Sequence, residues 1–229
     1  MENETNNLKH IAVIIDGNRR YAKSRLLQTY RGHEEGAERV KDFLKWCQDL
    51  EIKEITIYAL STENLKREKE ELDNLFKLFR KFFKELKESK ELKEKSVKIR
   101  FIGDLNLIPR EIRELALELE KETKDNTNCI VNFCFAYGGR LELTQTINKL
   151  LKSGKKQVTE QDITNSLWLS SEPELIIRTG AKSRTSNFLP WQTVYSEWSF
   201  LDKMWPEITK EDLIGCIERF KKTKRNFGK

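Results

Sequence analysis

The chain has 229 residues, 35% of them charged, and a formal net charge of +6, a length that suits one substantial core and excludes two comfortable domains. No run of eighteen apolar residues occurs, and residues 1–9 hold no apolar stretch of signal-peptide length, so a cytoplasmic protein is expected, with any membrane contact peripheral. Cys47, Cys129, Cys134 and Cys216 form no C-x-x-C pair, and with His10 and His33 as the only histidines a zinc constellation is excluded.

The first predicted element is a strand ending at Asp16. Ile11, Val13, Ile14 and Ile15 make a near-continuous β-branched run, which suits a strand covered on both faces of an α/β sheet. Asp16 falls at its carboxyl end, where open α/β sheets bind ligands. Gly17 lets the backbone approach an anion, and Asn18, Arg19 and Arg20 follow at once. A carboxylate repels a bare phosphate, and a divalent cation between the two reconciles the charges. The stretch therefore reads as a magnesium-assisted phosphate or diphosphate site.

Residues 24–30 lack a period and read as a loop over that site. From residue 32 to 50, Ala37, Val40, Phe43, Leu44 and Cys47 recur at helical spacing, with His33 in the first turn, where it could face phosphate. A second strand over 55–60 runs into Ser61, Thr62, Glu63 and Asn64, with Arg67 beyond. Ser61 or Thr62 could equally cap the next helix. That helix, over about 70–95, carries Leu72, Leu75, Phe76, Phe79, Phe82, Phe83 and Leu86 on one face, which periodicity alone assigns to core packing.

Residues 97–102 give a third strand, and Pro109 opens a helix to about 124. A fourth strand over 130–136 leads into Tyr137-Gly138-Gly139-Arg140 and a helix over 141–152. Thr159 with Asp162, and Thr209 with Asp212, mark two further helix starts. The fifth strand, 175–177, ends in the chain's richest polar turn, where Arg178, Arg184 and Ser186 form an anion clamp. Glu197 stands among aromatic residues, where an unpaired charge is costly, so a metal or a hydrogen-bond network should account for it. A basic tail closes the chain over 221–229.

Four segments together resemble one family. They are D-G-N-R-R-Y-A-K from Asp16 with Gly32-His33, S-x-E-N-x-x-R from Ser61, Y-G-G-R from Tyr137, and R-T-G-x-x-x-R-x-S-N-F-x-x-W-Q-x-x-Y-S-E-x-x-F from Arg178. In this order and spacing, over nearly the whole chain, they resemble the cis-prenyltransferases, the undecaprenyl and dehydrodolichyl diphosphate synthases. The resemblance implies a single α/β domain, a central mostly parallel sheet surrounded by helices, and a hydrophobic tunnel lined by Phe76, Phe79 and Phe83. It implies an allylic diphosphate at Gly17, Asn18, Arg19, Arg20, His33, Ser61 and Arg67, and isopentenyl diphosphate at Arg178, Arg184 and Ser186. Magnesium would sit at Asp16 with Glu197, and Asp16 and Asn64 would serve the chemistry.

Three departures from the family pattern stand out. Arg19 replaces a glycine common in bacterial members, and Ala181-Lys182 replaces a glycine and a glutamate. The terminal R-x-G of active homodimers is represented by Asn226-Phe227-Gly228, with Arg225 one position early. Either Arg225 substitutes in a homodimer, or a heteromeric partner supplies the motif. Other readings fare worse. A phosphatase of the dehalogenase class wants D-x-D, and position 18 is Asn; nucleic-acid binding has net charge alone behind it and is not expected.

Overall fold

The computed structural model describes residues 8–90 and 94–223. Arg225 and the Asn226-Phe227-Gly228 triplet lie outside the described residues. Six strands, β1 (His10–Ile14), β2 (Glu54–Ser61), β3 (Val97–Ile102), β4 (Cys129–Tyr137), β5 (Leu175–Arg178) and β6 (Glu197–Phe200), form one sheet in the order β3-β4-β2-β1-β5-β6. Every pairing is parallel, so the expected mostly parallel sheet is wholly parallel among the described residues. All five residues of β1 are buried, as coverage on both faces requires.

The helices are α1 (Asn18–Ser24), α2 (Thr29–Asp49), α3 (Lys69–Glu88), α4 (Arg110–Thr123), α5 (Gly139–Lys152), α6 (Glu160–Ser166) and α7 (Lys210–Lys222). One face of the sheet packs Val13, Ile57 and Phe133 against Phe43 of α2, Phe83 of α3, Ile112 of α4 and Phe220 of α7. The other face carries a smaller cluster in which Ile14, Tyr58 and Ile176 meet Phe188 and Leu189. All four cysteines are buried free thiols. Both expected capping boxes are present, Thr159 with Asp162 and Thr209 with Asp212.

Besides the helix expected over about 70–95, which as α3 ends at Glu88, three boundaries differ from the sequence reading. The loop expected over 24–30 is shorter, because Ser24 closes α1 and Thr29 already opens α2. His33 consequently lies in the second turn of α2 rather than the first. The third difference is β6, a four-residue edge strand with no buried member, too short and too uniform to show the alternation that announces a strand.

Candidate active site

From β1 the chain moves to β2 on one side, and after β4 it crosses to β5 on the other. The carboxyl ends of β1 and β5 therefore flank a switch point, the place where α/β sheets open a crevice. Ile14 pairs in register with Arg178, and two residues past Ile14 the Asp16 carboxylate accepts from that arginine, Nη2 to Oδ2 at 2.9 Å. Arg20, one turn along α1, donates to the other oxygen, Oδ1, at 3.1 Å. One carboxylate is thus shared by two guanidiniums. Arg178 is only 2% exposed, and its Nη1 donates to Ser186 Oγ at 2.7 Å and to the carbonyl of Arg184.

The backbone around this pair is fixed from several sides. Thr179 Oγ1 and the Trp205 N–H donate to the Asp16 carbonyl at 2.7 and 3.1 Å, and Arg20 Nη1 donates to the Gly180 carbonyl at 2.6 Å. Gly17 holds φ at 118°, and a Cβ there would fall 2.8 Å from Met204 Sδ, so this turn requires glycine. α1 then lies close on α2. A methyl on Gly32 would come within 2.1 Å of the Asn18 carbonyl oxygen, and one on Gly36 within 2.5 Å of Asn18 Oδ1.

A second charged group gathers where α1, α2 and α3 meet. Glu71 Oε1 accepts from Arg67 Nη1 at 2.9 Å and lies 3.7 Å from both Arg19 Nε and His33 Nε2. Burial, with help from the Arg67 charge, pushes the His33 pKa down to about 4 against the pull of Glu71. At neutral pH His33 is therefore an uncharged hydrogen-bonding group, and its buried Nε2 has no hydrogen-bond partner among the described residues. Burial also lowers Arg67. Beside it, Ser61 Oγ accepts from the Asn64 N–H at 3.1 Å while Asn64 Oδ1 accepts from the Ser61 N–H at 3.2 Å. These bonds lock Asn64 in place; the expected cap on the next helix is not formed, since α3 follows Glu68 with no side-chain cap.

Between these clusters opens a cavity of about 940 Å³. Its mouth carries Asp16, Asn18, His33, Arg67 and Arg178, and its interior carries Leu75, Leu78, Phe79, Phe82, Phe83 and Phe133. Phe83 packs edge-on against Phe101 and Phe135, with ring centroids 4.8 and 5.5 Å apart, which backs the apolar wall. A smaller recess of about 510 Å³, reached past Thr29 and Tyr30, shares His33, Leu75 and Leu78 with the cavity.

Most of the residues expected from the sequence come together here. Asp16, Asn18, His33, Ser61, Asn64, Arg67, Arg178 and Ser186 line the cavity, with Gly17, Arg19 and Arg20 bordering it through the contacts above. Three do not join them as expected. Phe76 packs on the core instead of lining the cavity, and Phe82 lines it instead, because residue 76 sits 100° round the helix from Leu75. Arg184 contributes its carbonyl to Arg178 while its side chain is exposed. Glu197 pairs with Leu175 at the start of β5, three residues and roughly 10 Å along the strand from Arg178, so within one chain it is not brought to Asp16.

Sequence reasoning gave no site role to Glu71, nor to Glu63 and Asn187, which stand inside the motifs at Ser61 and Arg178. Burial raises Glu63, but hydrogen bonds from its own N–H, Asn187 and Ser61 outweigh that and hold it below the usual range. Asn187 Nδ2 donates to Glu63 Oε1 at 3.0 Å and its Oδ1 accepts from the Arg140 N–H at 2.9 Å. The spacing of Glu71 four residues after Arg67 was the available signal.

Comparison with known proteins places this geometry. Residues 14–228 match the prenyltransferase family model described as undecaprenyl diphosphate synthase. A Methanopyrus kandleri relative, a tritrans,polycis-undecaprenyl-diphosphate synthase (geranylgeranyl-diphosphate specific), is 40% identical over 96% of this chain and 84% of its own. An isoprenyl transferase of Fusobacterium nucleatum is 38% identical over 98% and 97%. The crystal structure of lavandulyl diphosphate synthase from Lavandula x intermedia, in complex with dimethylallyl diphosphate, superposes with a TM-score of 0.90 at 28% identity, covering 97% of this chain and 98% of that one.

Proposed function

The chain belongs to the undecaprenyl diphosphate synthase family of cis-prenyltransferases, and from that membership we propose that it condenses isopentenyl diphosphate with an allylic diphosphate, farnesyl or geranylgeranyl, to make a Z-polyprenyl diphosphate, the precursor of a polyprenyl lipid carrier. The observation that carries this reading is the cavity's two unlike ends, guanidiniums at the mouth and phenylalanines within. Such a cavity suits an amphiphile with an anionic head and a hydrocarbon tail.

In this reading Arg19, Arg20, Arg67 and the first-turn N–H groups of α1 surround the allylic diphosphate, and neutral His33 adds one hydrogen bond. Arg178 and Ser186 hold isopentenyl diphosphate, with Arg184 swinging in from solvent. Asp16 lines the mouth, and magnesium needs only one or two carboxylates when substrate phosphates supply its other oxygens, so Asp16 fits as its protein ligand. Bound there, magnesium would neutralise the departing diphosphate. The allylic carbon–oxygen bond breaks, its electrons leave with the diphosphate, and the isopentenyl double bond attacks the freed carbon. A proton then leaves C2 for an oxygen of Asp16 or of the diphosphate, while Asn64, held by Ser61, orients that step.

The same reading makes the chain a homodimer, with a heteromeric partner as the alternative. Its support is the sheet edge at β6, where Val194 and Phe200 are exposed. Light scattering on the pure chain gives the mass. Incubation with magnesium, labelled isopentenyl diphosphate and each primer, beside Asp16→Ala, tests the reaction. Long-chain product lost in the variant is expected; none from folded wild type, alone or as a dimer, would sink the self-sufficient enzyme.

A further inference from the structure

The segment between α1 and α2, with the first turn of α2, exposes apolar residues. Leu26 is 96% exposed, and Leu27 and Tyr30 are open beside it. Leu26 also holds φ at 55°, a left-handed conformation that side chains rarely adopt. Its N–H bonds the Lys23 carbonyl, and the Leu27 N–H bonds the Ala22 carbonyl at 2.8 Å, a helix ending for which glycine is the usual residue. Leucine here brings strain without burial. An outlier of that kind points to a use outside the fold.

The surrounding charge indicates what meets it. From Gly17 to His33 the chain carries Arg19, Arg20, Lys23, Arg25 and Arg31 and no acid. Glu68, Glu70 and Glu71 line the recess beside Thr29 and Tyr30, and the acids that pair with the segment and its flanks are Glu34 and Glu35 of α2, and Glu207. They engage Arg31 at 3.1 Å, Tyr21 at 2.6 Å and Arg25 at 3.8 Å, yet the Arg25 and Arg31 side chains stay 61% and 57% exposed. Exposed leucines between exposed arginines match an anionic bilayer, which offers acyl chains below and phosphates above. The recess under Thr29 and Tyr30 shares His33, Leu75 and Leu78 with the cavity and is otherwise lined mainly by charged and polar side chains.

We propose that residues 25–31 form a membrane-contact edge, in which Leu26 and Leu27 insert into an anionic lipid surface and Arg25 and Arg31 meet its phosphates. The expected effect on turnover rests on the prenyltransferase reading; binding to lipid does not. The test is flotation of the full ligand-free chain with vesicles of mixed phosphatidylcholine and phosphatidylglycerol, and with phosphatidylcholine alone. Wild type should partition onto the mixed vesicles and lose binding in high salt.

Leu26→Gly suits the left-handed backbone, so it should keep or raise the thermal midpoint while lowering vesicle partition tenfold or more, with Leu27→Ser adding to the loss. Vesicles should speed steady-state turnover of wild type and not of Leu26→Gly, the two being equal in detergent. Absence of wild-type binding, or equal binding by Leu26→Gly, overturns the proposal. So does a change of mass in Leu26→Gly with flotation unchanged, which would assign the loop to contact between copies. Failure of condensation in both proteins would count against the enzymatic reading and leave the vesicle result standing.

Discussion

Both ends of the sheet carry polar side chains in rows across neighbouring strands, and they are built differently. At the amino end, His10 Nε2 lies 2.7 Å from Thr56 Oγ1, while Asn132 Nδ2 donates to Thr56 Oγ1 at 3.0 Å and to Glu54 Oε1 at 2.7 Å. Ser171 Oγ adds a bond to the same Glu54 oxygen at 2.6 Å. His10, Thr56 and Asn132 are all buried and bond one another, with His10 Nδ1 and Asn132 Oδ1 left without a hydrogen bond among the described residues. At the carboxyl end, Arg20, Arg67 and Arg178 border open space, and the nearby backbone turns left-handed at Ala181, Ser186, Asn187 and Leu189. Polar groups that satisfy one another hold a fold together; polar groups that face a cavity on strained backbone are held for a ligand.

Mutation can break that comparison. Arg178→Met should lower kcat/KM for condensation by about 10²–10³, measured with labelled isopentenyl diphosphate, because one guanidinium serves Asp16, Ser186 and the incoming anion. A variant of near wild-type activity would remove Arg178 from the site.

Acid should weaken both ends together. Burial, against the pull of Glu54, pushes His10 down to about 4, the value His33 also reaches. Unfolded histidine titrates near 6.5, so between about pH 6.5 and 4 the unfolded chain binds more protons than the native one. Stability is then full above pH 6.5 and falls toward pH 4, by about 1.4 kcal/mol per pH unit for each histidine. Urea midpoints between pH 7 and 5 check this, and His10→Gln should remove its share of the slope while leaving condensation intact.

Asn132→Ala should cost about 1–3 kcal/mol in urea unfolding with kcat/KM unchanged, since it strips two bonds from the amino-end network. A large kinetic effect with little loss of stability would show the two ends to be coupled. The smallest effect is expected at Ala181, whose φ of 53° keeps a glycine-like turn with an alanine. Ala181→Gly should relieve up to about 1 kcal/mol of strain, read as a modest rise in thermal midpoint.

Much of this was legible in the chain. The β-branched run before Asp16 announced a buried strand, and the polar turns at Asp16, Ser61 and Arg178 announced one site at three strand ends, because strand carboxyl ends in a parallel sheet share an edge. What escaped were relations that chain order does not carry. Glu71 resembles the many Lys and Glu pairs on solvated helix faces until the fold sets it against Arg19 and His33. Glu197 sits in a motif close to Arg178 in sequence, yet a parallel strand returns it to the opposite end of the sheet. Phe76 and Phe82 differ only in helical phase, which an aromatic-rich helix blurs.

Glu71 has one more consequence. With Asp16 clasped by Arg20 and Arg178, and Glu71 by Arg67, the resting site supplies its own counter-ions. On the proposed reading, an arriving diphosphate would not meet a bare cationic bowl but guanidiniums already engaged by carboxylates. The arginines would then have partners both before substrate arrives and after it departs, without waiting for an ion from solution.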